Sequence, residues 1–439
     1  MDKFIEQIKA AADEAQDIID YTAAHDEEIR YAIDIVEEFL RRKHRICYGG
    51  QAINAYLPEK HKFYDPLLSI PDYDFLTPSG AEDIRVLVRA FKEAGFTDIG
   101  VRPGMHDGTM KIYINYTAVA DVTEINPLFY AKLYERSEIV NGITYMDANS
   151  LRMMMYLELS RPRGEVGRWE KVFERLELLN RYRPLKCEKA ATKRRGAAAA
   201  GATGEERKHI IDFIVYEQRV LVGGDVVSFY KQRLKKTIRI EWFLGKKNPL
   251  LFYSPNVDED TLTLKRQLEK YAEKIDVEII ESEAEFFPRM TLIKAGGGAG
   301  RIICGIIQET ACHGYNTLEL NSGKMLRIGS FDTLITLYLS LTFQKKLESM
   351  FDNSILCMVS QVIELQHLYR GLKKPIFPFI TITCSGHQKQ LSSLLREKVK
   401  RIREARGATR RESRGVGSTR RSRPAVASAA AAASAAKTR

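Results

Sequence analysis

An α+β fold made of two tandem copies of one mixed domain is what this sequence predicts. Three observations predict it: short strands interleaved with helices of ordinary length, segmental similarity between the two flanks of a low-complexity stretch, and an ordinary globular composition. Of 439 residues, 44% are hydrophobic and 28% are charged. That composition excludes wholesale disorder or a collagen-like repeat, and the length is ample for more than one core. The longest apolar stretch, Phe331 to Phe343, is interrupted by Asp332 and falls short of the ~20 residues that span a bilayer. A soluble chain with no membrane contact is expected. Six scattered cysteines argue against a disulfide framework and for a reducing compartment.

Residues 2–22 and 26–43 read as amphipathic helices, the second with Ile29, Ile33, Val36 and Leu40 at helical spacing and Arg41, Arg42 and Lys43 at its end. Arg45–Tyr48 reads as a strand, Gly49-Gly50 as a tight turn, and Gln51–Tyr56 as the opening of a helix. A strand at Tyr73–Thr77, a helix at Glu82–Ala94 and strands at Lys111–Asn115 and Ala118–Thr123 follow. Residues 186–208, rich in Lys, Arg, Ala and Gly, read as an exposed flexible linker or long loop. From residue 398 the composition turns to Arg, Ala and Ser, which predicts a disordered tail. Domain boundaries are therefore expected at 1–44, 45–185, 186–208, 209–397 and 398–439.

The tandem copy emerges on comparing the two flanks. Cys47-Tyr48-Gly49-Gly50 is echoed by Leu221-Val222-Gly223-Gly224 at an offset of 174. Phe75-Leu76-Thr77-Pro78 is echoed by Phe252-Tyr253-Ser254-Pro255 at 177, and Asp83 matches Asp260 at the same offset. Met146, Ser150, Leu157 and Ser160 match Leu326, Ser330, Leu337 and Ser340 at 180. A conserved order with a slowly drifting offset is the behaviour of a diverged duplication.

The chemistry concentrates in the first copy. On a strand, residues two apart face one side, so Asp72 and Asp74 present two carboxylates to one volume. Asp121, on a later strand, supplies a third. Three carboxylates together repel unless a hard divalent cation such as Mg²⁺ or Mn²⁺ neutralises them. Gly49 and Gly50 form a turn without side chains, where backbone N–H groups can approach a nucleotide phosphate. Together these describe metal-dependent nucleotidyl transfer.

Ile46-Cys47-Tyr48-Gly49-Gly50-Gln51-Ala52-Ile53-Asn54 with Pro71-Asp72-Tyr73-Asp74-Phe75 resembles the signature of the polymerase-beta-like nucleotidyltransferase superfamily. It is similar in particular to the poly(A) polymerase catalytic subunits of large cytoplasmic DNA viruses, of the mimivirus and asfarvirus type and more distantly the poxvirus type. Ser160-Arg161-Pro162-Arg163-Gly164 and Arg168-Trp169-Glu170-Lys171-Val172-Phe173-Glu174-Arg175-Leu176 are similar to that group as well. The resemblance implies tandem nucleotidyltransferase-like domains, the first catalytic and the second degenerate, with N-terminal helices and a disordered basic tail. It also implies addition of AMP from ATP to RNA 3′ ends, a homodimer, and a place in the host cytoplasm or viral factory, with the virion as a further location. Aligned on Phe75 and Phe252, Asp72 and Asp74 fall opposite Pro249 and Leu251, so the second copy has lost the metal site. Asp121 has no aligned counterpart.

By this reading Asp72, Asp74 and Asp121 are the catalytic and metal-ligating residues, and Gly49, Gly50, Arg168 and Lys171 bind nucleotide. Arg168, Lys171 and Arg175 share one helix face, which either contacts phosphate or is simply solvated. Arg161, Arg175, Arg194, Arg195, Arg410 and Arg411 are the candidate RNA contacts. Residues 401–439 hold eleven Lys and Arg against two Glu, most of the net charge of +11, so the tail is expected to add salt-sensitive RNA affinity. The alternatives are a transferase acting on a tRNA or small-molecule hydroxyl, and a non-catalytic RNA-binding scaffold. Gly296–Gly300 lacks a phosphate-loop pattern and reads as a flexible loop. Cys304, Cys312, His313, Cys384 and His387 lack paired Cys-x-x-Cys spacing and read as buried thiols rather than a zinc site.

Overall fold

Two helices precede the first strand. Helix α1 (Asp2–Ala24) is exposed along nearly its whole length, whereas α2 (Glu27–Lys43) buries Ile29, Ala32, Ile33, Val36, Phe39 and Leu40 on one face. Asp26 starts α2 by accepting from the Glu28 and Ile29 N–H groups at 2.9 and 3.1 Å, and His44 ends it in the left-handed conformation. The structure, a computed structural model, describes residues 2–401 and 404, apart from 66–67, 69, 105, 107, 188–200, 203, 235–247, 273, 284–285, 298–299, 321–322, 352–353, 374–375, 391–392 and 395. Arg194, Arg195, Arg410 and Arg411 lie outside the described residues.

Among the described residues, the first half of the chain forms a seven-stranded mixed sheet. Its strands are β1 (Ile46–Tyr48), β2 (Tyr73–Thr77), β3 (Ile99–Pro103), β4 (Thr109–Ile114), β5 (Thr117–Glu124), β6 (Glu138–Val140) and β7 (Ile143–Tyr145), in the order β3-β4-β5-β2-β1-β7-β6. Helices α3 (Gly49–Ala55), α4 (Gly80–Glu93), α5 (Pro127–Tyr134), α6 (Ala148–Leu159) and α7 (Trp169–Tyr182) accompany it. The expected elements are present within two residues at each end, and the Gly49-Gly50 pair expected as a tight turn is the first turn of α3. Phe75, Phe91 and Phe129 are wholly buried, each contributing about 2–3 kcal/mol of apolar burial.

The second half repeats this sheet strand for strand. Helices α8 (Gly204–Tyr216), α9 (Gly224–Arg233), α10 (Val257–Leu268), α11 (Phe331–Leu341) and α12 (Ile355–Arg370) accompany strands β8 (Val220–Leu221), β9 (Leu250–Ser254), β10 (Ile275–Ile280), β11 (Met290–Ala295), β12 (Arg301–Gln308), β13 (His313–Glu319), β14 (Met325–Gly329) and β15 (Cys384–Ser385). Their order is β10-β11-β12-β9-β8-β14-β13-β15, the first order with one strand added. Register agrees as well: Cys47 pairs with Phe75, and Leu221 with Phe252. An ion pair is duplicated with the strands. Arg45 Nε donates to Asp83 Oδ2 and Arg219 Nε to Asp260 Oδ2, both at 2.7 Å.

One sequence match needs correction. Tyr145 pairs with Cys47 as Ile328 pairs with Leu221, and Asp147 caps α6 as Ser330 caps α11, so the offset here is 183 rather than 180. A slip of three residues is nearly one helical turn and leaves the same face apolar, which is why 180 also matched.

Residues 1–390 form one compact unit, with a single core running through both halves. Helix α6 packs on its counterpart α11. Phe129 on α5 meets Phe286 and Phe343 at ring-centroid distances of 5.0 and 5.2 Å, and Arg136 lies over the Phe343 ring. The segment expected as a flexible linker is structured at its C-terminal end: α8 starts at Gly204, and Ala202 is buried. The Gly201 carbonyl accepts from Arg301 Nη1 at 2.9 Å, so this backbone is tied to the second sheet. A second unit begins at Leu391, and within it residues 396–401 are helical, so the segment from 398 opens as helix rather than as coil.

The cysteine reading also changes. Cys187 is bonded to Cys357, and Cys312 to Cys384, while Cys47 and Cys304 are the buried free thiols. The pairs are 170 and 72 residues apart in sequence, a pairing that sequence spacing cannot reveal. Gly296 and Gly297, both at positive φ, turn the chain from β11 toward β12. No helix among the described residues is long and apolar enough to cross a membrane.

Candidate active site

A single rung of the first sheet carries the carboxylates. Asp74 on β2 is the register partner of Asp121 on β5, Asp121 of Lys111 on β4, and Asp74 of Tyr48 on β1. Cross-strand partners share a face of the sheet, so Lys111, Asp121, Asp74 and Tyr48 form one row. Asp72, two residues before Asp74, adds its carboxyl to the same side. The three aspartates that spacing selected thus lie on one side of the sheet, near enough to act on one another electrostatically.

Their electrostatics follow from crowding. Burial, then the charges of Asp72 and Asp121, push the Asp74 carboxyl up to about 7, with Lys111 and His106 pulling it back. Asp72 is raised in the same way, by burial and then by Asp121. Lys111 Nζ lies 2.6 Å from Asp121 Oδ2. Burial works against the ammonium, but the hydrogen bond and charge of Asp121, together with Asp72 and Asp74, hold its pKa above the ordinary lysine value. Asp121 Oδ1 is buried and has no hydrogen-bond partner.

A divalent cation is the group that such a set of oxygen donors would hold. Among the described residues no group of three or more His, Cys, Asp or Glu side chains is already gathered to hold one. The chemistry nevertheless fits: hard carboxylate oxygens, mutual repulsion that raises two of the pKa values, and a buried orphan oxygen on Asp121.

The glycine pair separates this anionic face from a cationic one. Gly49 has φ of +71°, and a Cβ there would lie 2.6 Å from Asp74 Oδ2. At Gly50 a Cβ would lie 2.5 Å from the Tyr64 hydroxyl and 2.8 Å from Arg175 Nη1. Asn54 Oδ1 accepts from the Phe63 and Tyr64 N–H groups at 2.9 and 3.2 Å, which fixes the turn carrying both rings. Arg175 Nη2 donates to the Tyr64 hydroxyl at 2.9 Å, and its guanidinium sits over the Phe63 ring, 4.3 Å from the centroid.

Lys171 lies one turn before Arg175 on α7. Burial, then the charges of Arg175 and Arg168, lower its pKa. Arg168 pairs with Glu158 at 3.4 Å and stays mostly exposed. Arg161 is placed differently. It is half-buried, and its charge acts on Tyr253 and His313, so it stands at the junction of the two halves and not on the basic face of α7.

Sequence reasoning missed Lys111 and Tyr64. The alternation of β4 could have flagged Lys111 once its register with Asp121 was known; Tyr64 lies in a loop and carries no periodic signal. The structure also supplies the counterpart of Asp121. Leu251 pairs with Gly305 on β12, Gly305 with Leu292 on β11, and the Leu251 carbonyl accepts from the Val222 N–H. The charged rung Lys111–Asp121–Asp74–Tyr48 is therefore matched by the apolar rung Leu292–Gly305–Leu251–Val222, with Pro249 opposite Asp72. A Cβ on Gly305 would lie 2.7 Å from Leu251 Cδ2, so the leucine fills the space where the first half keeps its third carboxylate.

Comparison with known proteins bears on the same region. Residues 34–165 match the family described as poly(A) polymerase catalytic subunit. A protein of African swine fever virus (strain Badajoz 1971 Vero-adapted) assigned as a poly(A) polymerase catalytic subunit is 29% identical over 163 residues, 36% of this chain and 34% of the relative. One from Acanthamoeba polyphaga mimivirus, assigned likewise, is 28% identical over 164 residues, 36% of this chain and 27% of the relative. The matched stretch thus spans about a third of the length of these curated relatives or less. The crystal structure of the Megavirus polyadenylate synthase shares the fold with a TM-score of 0.73 at 17% identity, over 92% of this chain and 84% of that one. The sequence match to the poly(A) polymerase catalytic subunit family thus lies on the stretch that carries the aspartates, and the fold match extends over nearly the whole chain.

Proposed function

We propose that the chain is a template-independent poly(A) polymerase, adding AMP from ATP to RNA 3′ ends. The observation that carries this is the glycine pair with Asp74 on one side and Arg175 on the other. That arrangement suits a substrate that is a triphosphate at one end and reacts beside carboxylates at the other. Gly49 and Gly50 leave the backbone open for phosphates to approach. Arg175, held by Tyr64 and Phe63, and Lys171 offset the charge of the β- and γ-phosphates. Asp72, Asp74 and Asp121 would hold the divalent cations, Mg²⁺ or Mn²⁺, whose chemistry when bound is to lower the pKa of the RNA 3′-hydroxyl and to offset charge on the departing pyrophosphate. The row of carboxylates orients the 3′-hydroxyl against the α-phosphorus, so that attack and departure are in line.

In this reading residues 45–185 are the catalytic domain and 209–397 a degenerate partner, with 1–44 as its leading helices, 186–208 as the connection and 398–439 as a basic tail that tracks RNA. Adenine preference, a homodimer and a host-cytoplasmic site of action come from the likeness to the viral enzymes. Extension of an RNA primer with each NTP offered separately tests the reading: long tails are expected from ATP alone. Equal use of all four nucleotides, or a single addition to tRNA, would favour the tRNA-end alternative, and RNA binding without extension a scaffold.

A further inference from the structure

We infer that Lys111 is a resident counter-ion that occupies Asp121 until a divalent cation displaces it, so that the chain without nucleotide binds metal weakly. This rests on the reading of Asp72, Asp74 and Asp121 as cation ligands. Lys111 Nζ is 2.6 Å from Asp121 Oδ2, in the same rung as Asp74, with the lysine side chain 28% exposed. Three carboxylates on one side of a sheet need positive charge to coexist; the Lys111 ammonium supplies it by a direct bond to Asp121, and His106 acts on Asp74 from further off. The other oxygen of Asp121 is buried without a hydrogen-bond partner, which leaves the carboxylate half-satisfied and ready for a second cation.

The second half of the chain gives independent support. There the rung has lost both carboxylates, and the position of Lys111 is Leu292. Lysine and aspartates are present together or absent together within one chain, which is what a lysine serving the carboxylates requires. A lysine kept only for its stem would have no reason to change with them.

The consequence is a sign. An ammonium bonded to a ligand repels an arriving divalent cation, and its flexible four-carbon stem lets it swing away when the cation wins. An anionic triphosphate brings its own cation and offers the freed ammonium a new partner, so metal loading follows nucleotide loading. A lysine that merely oriented Asp121 through its second oxygen would instead strengthen metal binding.

Mn²⁺ titration of the full chain without nucleotide, read by electron paramagnetic resonance, separates the two. Lys111→Met is expected to bind Mn²⁺ at least ~10-fold more tightly than the native chain. Lys111→Arg, which keeps the charge, should not, and Asp74→Ala should lose the site. Equal or weaker binding by Lys111→Met, with binding that Asp74→Ala abolishes, overturns the inference and leaves the metal site standing. Binding indifferent to Asp74→Ala overturns the site itself. Should Lys111→Met fail to fold, the native chain with ¹³C-dimethylated lysines serves, the Lys111 resonance being identified by its absence from Lys111→Arg. Added Mg²⁺ should move that resonance to the free-lysine position, and an unmoved resonance contradicts the proposal.

Discussion

At Gly49 the backbone is left-handed and the missing Cβ is what lets Asp74 sit where it does. Gly49→Ala therefore combines a backbone cost of about 1–2 kcal/mol with displacement of a carboxylate by a sizeable fraction of an ångström. Misplacement on that scale costs roughly 100-fold in rate, so primer extension should fall by about that factor while the melting temperature drops by only a few degrees. Undiminished extension would mean that Asp74 is not held by this contact. A different carboxyl sets a pH dependence of stability. Burial pushes Asp332 up to about 7, against a hydrogen bond from Gln366 Nε2 at 2.8 Å that works the other way. Between pH 4 and 7 the folded chain keeps a proton that the unfolded chain releases, so this residue's contribution is full below about pH 4 and is lost as pH rises through 7. Asp332→Asn should flatten the decline in urea midpoint over that window, and an unchanged slope would contradict it. Legibility at this scale was uneven. Asp72, Asp74 and Asp121 could be read because alternation along a strand is local; Lys111, Tyr64 and Gly305 could not, because each matters through a partner on another strand or loop.

Strands and helices show the duplication more plainly than residues do. Sheet order, register and the two arginine–aspartate pairs repeat, although few side chains do. Offsets of 174 and 177 were visible because a glycine turn and a strand end leave sharp local marks. The third is ambiguous by one turn in the sequence because an amphipathic helix offers the same face after a slip of three. The retained pairs have a structural task, tying the start of a central strand to the helix behind it. Asp260 is nearly fully buried, and removing one partner of a buried pair strands the other's charge. Asp260→Asn should lower stability by about 3 kcal/mol in chemical denaturation, with kcat for AMP addition well below the melting temperature unchanged. A fall in kcat without loss of stability would instead give the second sheet a catalytic part.

For the whole molecule, the two halves behave as one body because a shared core, the α6–α11 contact and the Cys187–Cys357 bond hold them. That bond closes a loop of 170 residues, for which chain entropy gives an upper figure of roughly 5 kcal/mol. Reductant should therefore lower the melting temperature of the oxidised protein, and non-reducing peptide mapping should recover Cys187–Cys357 and Cys312–Cys384; recovery of six free thiols after oxidative purification would contradict it. The sequence pointed to two copies of one domain but not to their union, since both the disulfide and the aromatic cluster at Phe129 join residues more than a hundred positions apart. The central claim, that one rung of the first sheet performs nucleotidyl transfer, is tested most directly by AMP incorporation from labelled ATP into an RNA primer by the native chain and by Asp74→Ala, with melting curves alongside. The account predicts long tails from the native chain and a loss of at least ~1,000-fold in Asp74→Ala at unchanged fold. Tails of native length from a folded Asp74→Ala would contradict it.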